Sequence, residues 1–291
     1  MTSPLADPYL LNGFVLNNLA TRIEVAENLQ TTPGTVGDDV EIDGMDGVFD
    51  PYADPASPRR AEGPGSISFT MSLLGVDPTT GLVPGGSSAA AQYFSRWDEM
   101  VRRFHRRTLT VAHPRPDGTT RTAVARLLGS IPPSREPASA WFGRFKADLL
   151  IPSGFWEDGT TVDTGLVTVD SGGTLDLSGF ATATAPCSCS VRWSGTSGAA
   201  ANNPKITLNS RSFQWAAVIA AGRQVLADSD TGLITEGAGS AWTPGYSTHV
   251  VVGSRRYFEV DPSDASQSAV ITTTGGSVQV QVAGKRKFRT S

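Results

Sequence analysis

Closely spaced turn residues divide the chain of 291 residues into short segments, and 31 glycines and 19 prolines are among them. Between these turns, apolar and polar residues alternate with a period of two, as in Arg22-Ile23-Glu24-Val25 and Ser66–Leu73. That period places successive side chains on opposite faces of a β-strand. The pattern predicts a mainly β fold and excludes a protein built from long helices.

One segment, Tyr93–Arg107, has helical spacing instead, and Ser87 or Ser88 is a candidate N-cap. We expect two acidic residues, Asp98 and Glu99, to lie near its start. Acidic residues near the start of a helix and basic residues near its end interact favourably with the helix dipole. One face is apolar (Tyr93, Trp97, Met100, Val101 and Phe104), and much of the rest is basic (Arg96, Arg102, Arg103, Arg106 and Arg107). The basic face is either a surface for a partner or an ordinary solvated face.

The length favours two domains. Residues 152–160 carry a proline and two glycines, and we interpret them as the boundary between a first domain, 1–154, and a second domain, 155–291. The second part is nearly all short β segments with regular turns. That arrangement predicts a β-sandwich or jelly roll.

The net charge of −4 conceals an uneven distribution. Residues 1–90 carry 3 basic and 12 acidic residues, and residues 91–154 carry 11 basic and 5 acidic residues. The charges either compensate within one fold or mark two complementary sides of a subunit. Complementary sides predict a head-to-tail contact, which closes into a ring when the rotation permits. The acidic first segment also disfavours a DNA-reading domain.

Several classes of function have no support in the sequence. No apolar run approaches the length of a membrane helix, and no signal peptide is recognised, so we expect synthesis in a cytoplasm. Cys187 and Cys189 are expected to be reduced, and no metal or cofactor is expected. The Asp-Gly clusters 43–47 and 228–232 do not have the ligand spacing of an EF-hand and are interpreted as turns. No nucleophile motif accompanies the three histidines, so we expect a protein that is not an enzyme.

Two alternatives remain open at this point. A carbohydrate-binding adhesin or module would present a row of exposed aromatic residues. The candidates in the second domain are Trp193, Trp215, Trp242, Tyr246 and Tyr257, although core packing explains most such residues. The other alternative is a hydrolase on a β scaffold, whose catalytic residues need not be close in sequence.

The order of motifs resembles the distal tail protein (Dit) family of siphophages. The Val40–Val48 segment, with Gly44 and Gly47, resembles that family's glycine turn, and the strand Ile67–Leu73 follows it. The helix, the Asp117-Gly118 hairpin and the closing strand Phe145–Ile151 come next, in the family's order. In the second domain, Arg223–Asp228 and Tyr257–Pro262 are similar to family strands, although Ser263 stands where the family usually has glycine.

The resemblance implies a split-β-barrel-like belt domain and a galectin-like jelly roll. It further implies a structural virion component at the distal end of the tail, with no catalytic activity. Six copies would form a ring that joins the tail tube protein to the tail-tip hub and lets DNA pass. The jelly roll would be a platform for receptor-binding proteins.

Two sets of residues receive expected roles in such a ring. A channel that passes DNA should not retain it. Contacts from Lys or Arg to the phosphates would hold the DNA in the channel. We therefore expect acidic residues to face the lumen, namely Asp38, Asp39, Glu41, Asp43 and Asp46. We expect the helix to face neighbouring subunits through Trp97, Arg102, Arg103, Arg106 and Arg107.

Overall fold

The computed structural model describes residues 9–27, 40–41, 48–49, 64–86, 88–129, 131, 134–135, 141–196, 198–209, 211–229, 233–238, 241–244, 258–264 and 266–289. These residues form a mainly β fold with one α-helix, which confirms the predicted fold class. The chain divides into two compact units, residues 1–157 with 289–291, and residues 158–288.

The described residues of the first unit form ten strands and the helix. In chain order they are Leu10–Leu11 (β1), Phe14–Val15 (β2), Thr21–Glu27 (β3), Val40–Glu41 (β4), Val48–Phe49 (β5), Gly65–Leu74 (β6), Ala89–Phe104 (α1), Leu109–Pro114 (β7), Thr120–Leu128 (β8), Ser134–Arg135 (β9) and Phe142–Ile151 (β10).

Two predicted hairpins are present in this unit. Asn12 and Gly13 have φ angles of 49° and 79°, which suit the tight turn that joins β1 to β2. Asp117-Gly118 lies in the turn between β7 and β8, and Gly118 has a φ of 81°. Both turns need the left-handed backbone region, which glycine and asparagine adopt most readily.

Strand β8 belongs to two parts of the sheet. Its first six residues pair with β7, and Arg126–Leu128 pair with β10, giving the order β2-β1-β7-β8-β10-β6-β3. In β6 and β10 the buried residues face each other across the ladder, with Phe69 opposite Ala147 and Met71 opposite Phe145. Burial alternates along β10 and along β6 up to Met71, as the period-two pattern predicts, and Ser72 is buried in addition.

The described residues of the second unit form fourteen strands. The first of them, β11, starts two residues before the unit boundary. They are Trp156–Asp163 (β11), Val167–Asp170 (β12), Thr174–Asp176 (β13), Cys187–Ser194 (β14), Ala201–Asn202 (β15), Lys205–Leu208 (β16), Arg211–Gln214 (β17), Val218–Ile219 (β18), Arg223–Asp228 (β19), Leu233–Ala238 (β20), Ala241–Pro244 (β21), Phe258–Val260 (β22), Ser268–Thr272 (β23) and Ser277–Phe288 (β24). A short 3-10 helix, Ser178–Phe180, follows β13.

Two antiparallel sheets of the second unit enclose one core. One sheet has the order β12-β24-β14-β19-β20-β21, with β22 beside the first residues of β14, and the other has the order β13-β23-β16-β17. Inward side chains of both sheets, such as Val191 and Val280 from one and Ile206 and Ile271 from the other, belong to a single buried cluster. This arrangement is a β-sandwich.

Part of the predicted boundary region, residues 152–160, lies in a strand. Strand β11 begins at Trp156, and Trp156 and Asp158 are buried on alternate positions of it. Asp and Gly are poor strand formers, so local composition favoured a loop here. Tertiary burial of the alternate positions overrides that preference.

Candidate functional site

Helix α1 is fixed to the first unit by its apolar face. Tyr93, Met100 and Phe104 are buried, and Trp97 meets the Phe145 ring of β10 edge-on, with centroids 5.5 Å apart. Ser88 caps the helix, because its hydroxyl accepts a hydrogen bond from the Ala91 N–H at 3.2 Å. One of the two candidate caps is therefore confirmed, and the indole of Trp97 packs against its own chain.

The helix begins one turn earlier than its apolar spacing predicted. Because α1 starts at Ala89, Asp98 and Glu99 lie in its interior, and the first turn contains no acidic residue. The expectation that these acids complement the positive end of the helix dipole is wrong. Arg102 and Arg103 do lie in the last turn, where the dipole favours cations.

Glu99 joins two of the helix arginines. Its carboxylate is 2.9 Å from Arg96 Nη1 and 2.6 Å from Arg103 Nη2. Partial burial would raise the pKa of Glu99, but hydrogen bonds from Arg103 and then Arg96 outweigh it and leave the pKa below its ordinary value. The Arg103 guanidinium also lies 3.9 Å above the Phe14 ring of β2. Arg96 and Arg103 are thus engaged within the subunit.

The remaining arginines of this region point into solvent. Arg102, Arg106 and Arg107 are exposed, as is His105, which follows the last helical residue. Arg102 Nε donates to the Asp98 carbonyl at 3.2 Å, which holds the start of that guanidinium along the helix. Arg102, Arg106 and Arg107, at and just beyond the C-terminal end of α1, form an exposed basic surface that a partner can reach.

A closed loop precedes the helix and exposes apolar side chains. Asp77 Oδ1 accepts from the Thr79 and Thr80 backbone N–H groups at 2.9 and 2.8 Å. The Asp77 N–H donates to the Leu82 carbonyl at 2.8 Å, which closes the loop. Leu82 is 70% exposed and the adjacent Val83 is 42% exposed. The loop is therefore internally ordered while its apolar tip lies in water.

Most of the expected lumen residues fall outside the described residues. Asp38, Asp39, Asp43 and Asp46 are not described, and Glu41 lies in β4, which pairs with β5. The role assigned to these five acids stays a prediction.

The aromatic residues of the second unit do not form an exposed row where they are described. Trp193 and Trp215 are 0% and 1% exposed and belong to the sandwich core. Trp242 lies in β21 with its side chain not described, and Tyr246 and Tyr257 lie outside the described residues. The two described indoles cannot stack on a sugar.

An open cleft of about 450 Å³ lies beside β11 to β13 of the second unit. Asp163 and Asp176 line it, and both carboxylates serve their own chain. Asp163 accepts from the Gly165 N–H and from Gln281 Nε2, both at 2.8 Å, and Asp176 accepts from the Ser178 N–H at 2.9 Å. The pKa of Asp176 is lowered, first by that backbone hydrogen bond. These contacts identify the two acids as turn-forming residues.

The histidines and cysteines do not assemble a reactive group among the described residues. His113 is buried and stacks on Tyr9 with ring centroids 4.3 Å apart. Cys187 and Cys189 are buried, free thiols, as expected. His249 lies outside the described residues. Within the described residues, no cluster of three or more His, Cys, Asp or Glu is placed to hold a metal ion, and no helix is long and apolar enough to cross a membrane.

Comparison with known proteins identifies a similar fold. The sequence matches no protein-family model and no curated protein. The structure is similar to the crystal structure of SPP1 Dit (gp 19.1), a protein described as a paradigm of the hub adsorption apparatus in phages that infect Gram-positive bacteria. The match covers 97% of this chain and 99% of that chain, with a TM-score of 0.59 and 10% sequence identity. The resemblance to a siphophage distal tail protein is confirmed at the level of the fold.

Proposed function

We propose that this chain is a structural component of a phage tail, a distal tail protein whose copies form a ring at the end of the tail tube. The main support is the extent of the fold similarity, which spans nearly the whole of both chains rather than one common domain. A β-sandwich alone would carry little functional information, since many unrelated proteins share it. A match that includes both units of this chain is more specific than a match to one sandwich domain.

The finer parts of this proposal concern the assembly. The ring is a hexamer that joins the tail tube protein to the tail-tip hub and encloses a channel for DNA. The second unit is a galectin-like platform for receptor-binding proteins, and the chain catalyses no reaction. The absence of sugar-stacking geometry at Trp193 and Trp215 supports a platform over a glycan-binding module.

The proposed contact surface between subunits includes the five helix residues named from the sequence. Arg102, Arg106 and Arg107 are exposed and can reach a neighbour directly. Trp97 and Arg103 contact Phe145 and Glu99 of their own subunit, so they would act by holding α1 in place. The acids of residues 38–46 are proposed to face the lumen, where negative charge repels DNA phosphates.

Native mass spectrometry of the purified full-length chain, combined with electron microscopy of the same sample, tests the assembly. We expect a mass of six chains and annular particles with a central hole. A monomer at every concentration, or closed particles with no hole, would contradict the proposal. Mass spectrometry of purified virions is the companion measurement, because a tail component must be found in the particle.

A further inference from the structure

The first unit exposes a compact apolar patch around the loop of residues 76–86. Leu19 is 42% exposed, and its backbone N–H donates to the Pro78 carbonyl at 3.3 Å. Gly81 lies against the Leu19 side chain, since a Cβ built on Gly81 would be 3.3 Å from Leu19 Cδ1. Leu82 and Val83 follow directly. Single exposed apolar residues are ordinary, but Leu82 and Val83 together with Leu19, which contacts their loop, form a patch.

This patch is preorganised. Besides the Asp77 hydrogen bonds to Thr79 and Thr80, the Gly81 N–H donates to the Asp77 carbonyl at 2.9 Å. A rigid loop loses little conformational entropy when it binds, and a few well-packed residues carry most of the affinity of an interface. The hydrogen bonds order the loop but do not bury Leu82, which is 70% exposed.

A second exposed apolar group lies on the outer face of α1. Phe94 is 49% exposed, and it shares its face with Asp98 and Arg102, four and eight residues later. The outer face of α1 is therefore a stripe with an aromatic ring at Phe94, an acid at Asp98 and a cation at Arg102 in the last turn. Arg106 is exposed just beyond the end of the helix.

The two surfaces are complementary in charge. Asp77, which closes the loop through Leu82, is partly exposed. Its pKa is lowered by hydrogen bonds from the backbone of Thr80 and Thr79, so it is ionised at neutral pH. The stripe on α1 ends in Arg102, and the exposed Arg106 follows the end of the helix. The same asymmetry extends over the sequence, with a net charge of −9 for residues 1–90 and +6 for residues 91–154.

We propose that the patch formed by Leu19, Leu82 and Val83 on one copy of this chain docks onto the stripe from Phe94 to Arg102 on a second copy. The contact joins two different surfaces, so it is head-to-tail and extends from copy to copy. This inference rests on the proposed ring and assigns the surfaces that would close it. Leu82 packs on the Phe94 ring, and Asp77 lies toward the arginines.

Cysteine cross-linking tests the pairing. Two single variants, Leu82→Cys and Phe94→Cys, are purified separately, mixed and mildly oxidised. The native thiols are buried and do not compete. A disulfide requires Cα atoms within about 7 Å, so a bond forms only where the two positions meet. We expect dimers in the mixture at least several-fold above those of either variant alone, and a ladder of covalent oligomers when both substitutions are on one chain.

Matched controls define the other outcomes. Thr110→Cys places a thiol on an exposed position of β7 and sets the background of random collision. Dimers of Leu82→Cys or Phe94→Cys alone would show a symmetric contact and overturn the proposal. Rings in native mass spectra without cross-linking above the Thr110→Cys background would overturn it and leave the proposed function standing. Monomers at all concentrations would refute the ring itself and this contact with it.

Truncation of the same side chains provides a measurement without oxidation. Leu82→Ala and Phe94→Ala are expected to weaken assembly by about tenfold or more, as for a central apolar contact. Val124→Ala is the control, because Val124 is 56% exposed and belongs to β8, which contributes no residue to either surface. Equal dissociation of all three variants on dilution would contradict the assigned contact.

Discussion

The carboxylate of Asp158 and the guanidinium of Arg286 are 2.5 Å apart in the second unit, and they join the start of β11 to the end of β24. The Asp158 side chain is 6% exposed and the Arg286 side chain is 26% exposed. Arg286 Nη1 also donates to the Thr182 hydroxyl at 2.9 Å. A charge this deeply buried is tolerated only while its partner is present.

Asp158→Ala is expected to lower the free energy of unfolding by about 2 kcal/mol, because it leaves the Arg286 charge without its carboxylate. This is less than the roughly 3–5 kcal/mol typical of fully buried pairs, since Arg286 retains some contact with water. Urea unfolding of the full chain provides the measurement. The double variant Asp158→Leu/Arg286→Met is the control and should recover most of the loss. A double variant no more stable than Asp158→Ala would contradict this account.

Gly75 fixes the distance between β6 and the first residue of α1. A Cβ at this position would lie 2.0 Å from the Ala89 carbonyl oxygen, which is backbone and cannot rotate away. Gly75→Ala should therefore displace the helix and cost about 1–3 kcal/mol in unfolding free energy. Gly85 has open space around its Cβ position and no positive φ, so Gly85→Ala should be neutral or slightly stabilising. Similar unfolding midpoints for both variants would disprove the close approach.

The elements that local chemistry determines were predicted from the sequence. Asn12-Gly13 specifies its hairpin through the backbone conformation it allows, and the alternating apolar residues of β6 specify a strand. The apolar spacing found the helix but missed its first turn, because Ala89–Gln92 carry small or polar side chains with no apolar period. The Ser88 cap was the signal that located the true start.

The pairing of distant strands could not be predicted. Ser68 and Asp148 share a 2.5 Å hydrogen bond although 80 residues separate them in sequence. The register of such a ladder depends on which apolar faces are buried together, and local propensity does not contain that information. The exposure of Leu82 was missed for the same reason, since an apolar residue in a Gly- and Pro-rich loop gives no sign of whether the fold covers it.

Burial raises the pKa of the Cys187 thiol, although the Lys287 backbone N–H donates to its sulfur at 3.3 Å and partly opposes the shift. The thiolate is the reactive form, so a thiol reagent at pH 8 should not modify native Cys187. The exposed thiol of Thr110→Cys should react fully under the same conditions. In urea, all thiols should react. Rapid modification of the native chain at Cys187 would contradict the burial.

The same shift has a consequence for stability at alkaline pH. Because the folded pKa is raised, the contribution of Cys187 is fully present below its unfolded pKa of about 8.5. It is lost as pH rises from there through the folded pKa, because only the unfolded chain releases the proton. The unfolding midpoint of Cys187→Ala should fall less between pH 8 and pH 10 than that of the unchanged chain. Parallel slopes would show that Cys187 does not contribute.

Charge reversal on α1 tests the proposed subunit contact. Arg103 is best left unchanged, because a glutamate there would face Glu99 one turn away and lose the contact with Phe14, destabilising the helix itself. Arg102→Glu/Arg106→Glu changes exposed charges and is expected to yield monomers in light scattering. The glutamate at 102 lies one turn from Asp98 in the last turn of α1, so the unfolding midpoint should fall slightly. Arg126→Glu/Arg223→Glu alters the net charge equally at exposed positions outside α1 and should still assemble. Partly electrostatic contacts also weaken with ionic strength, so the unchanged ring should dissociate more readily at 1 M salt, where the screening length is about 3 Å. Intact rings of Arg102→Glu/Arg106→Glu, or equal disruption by both double variants, would remove α1 from the contact.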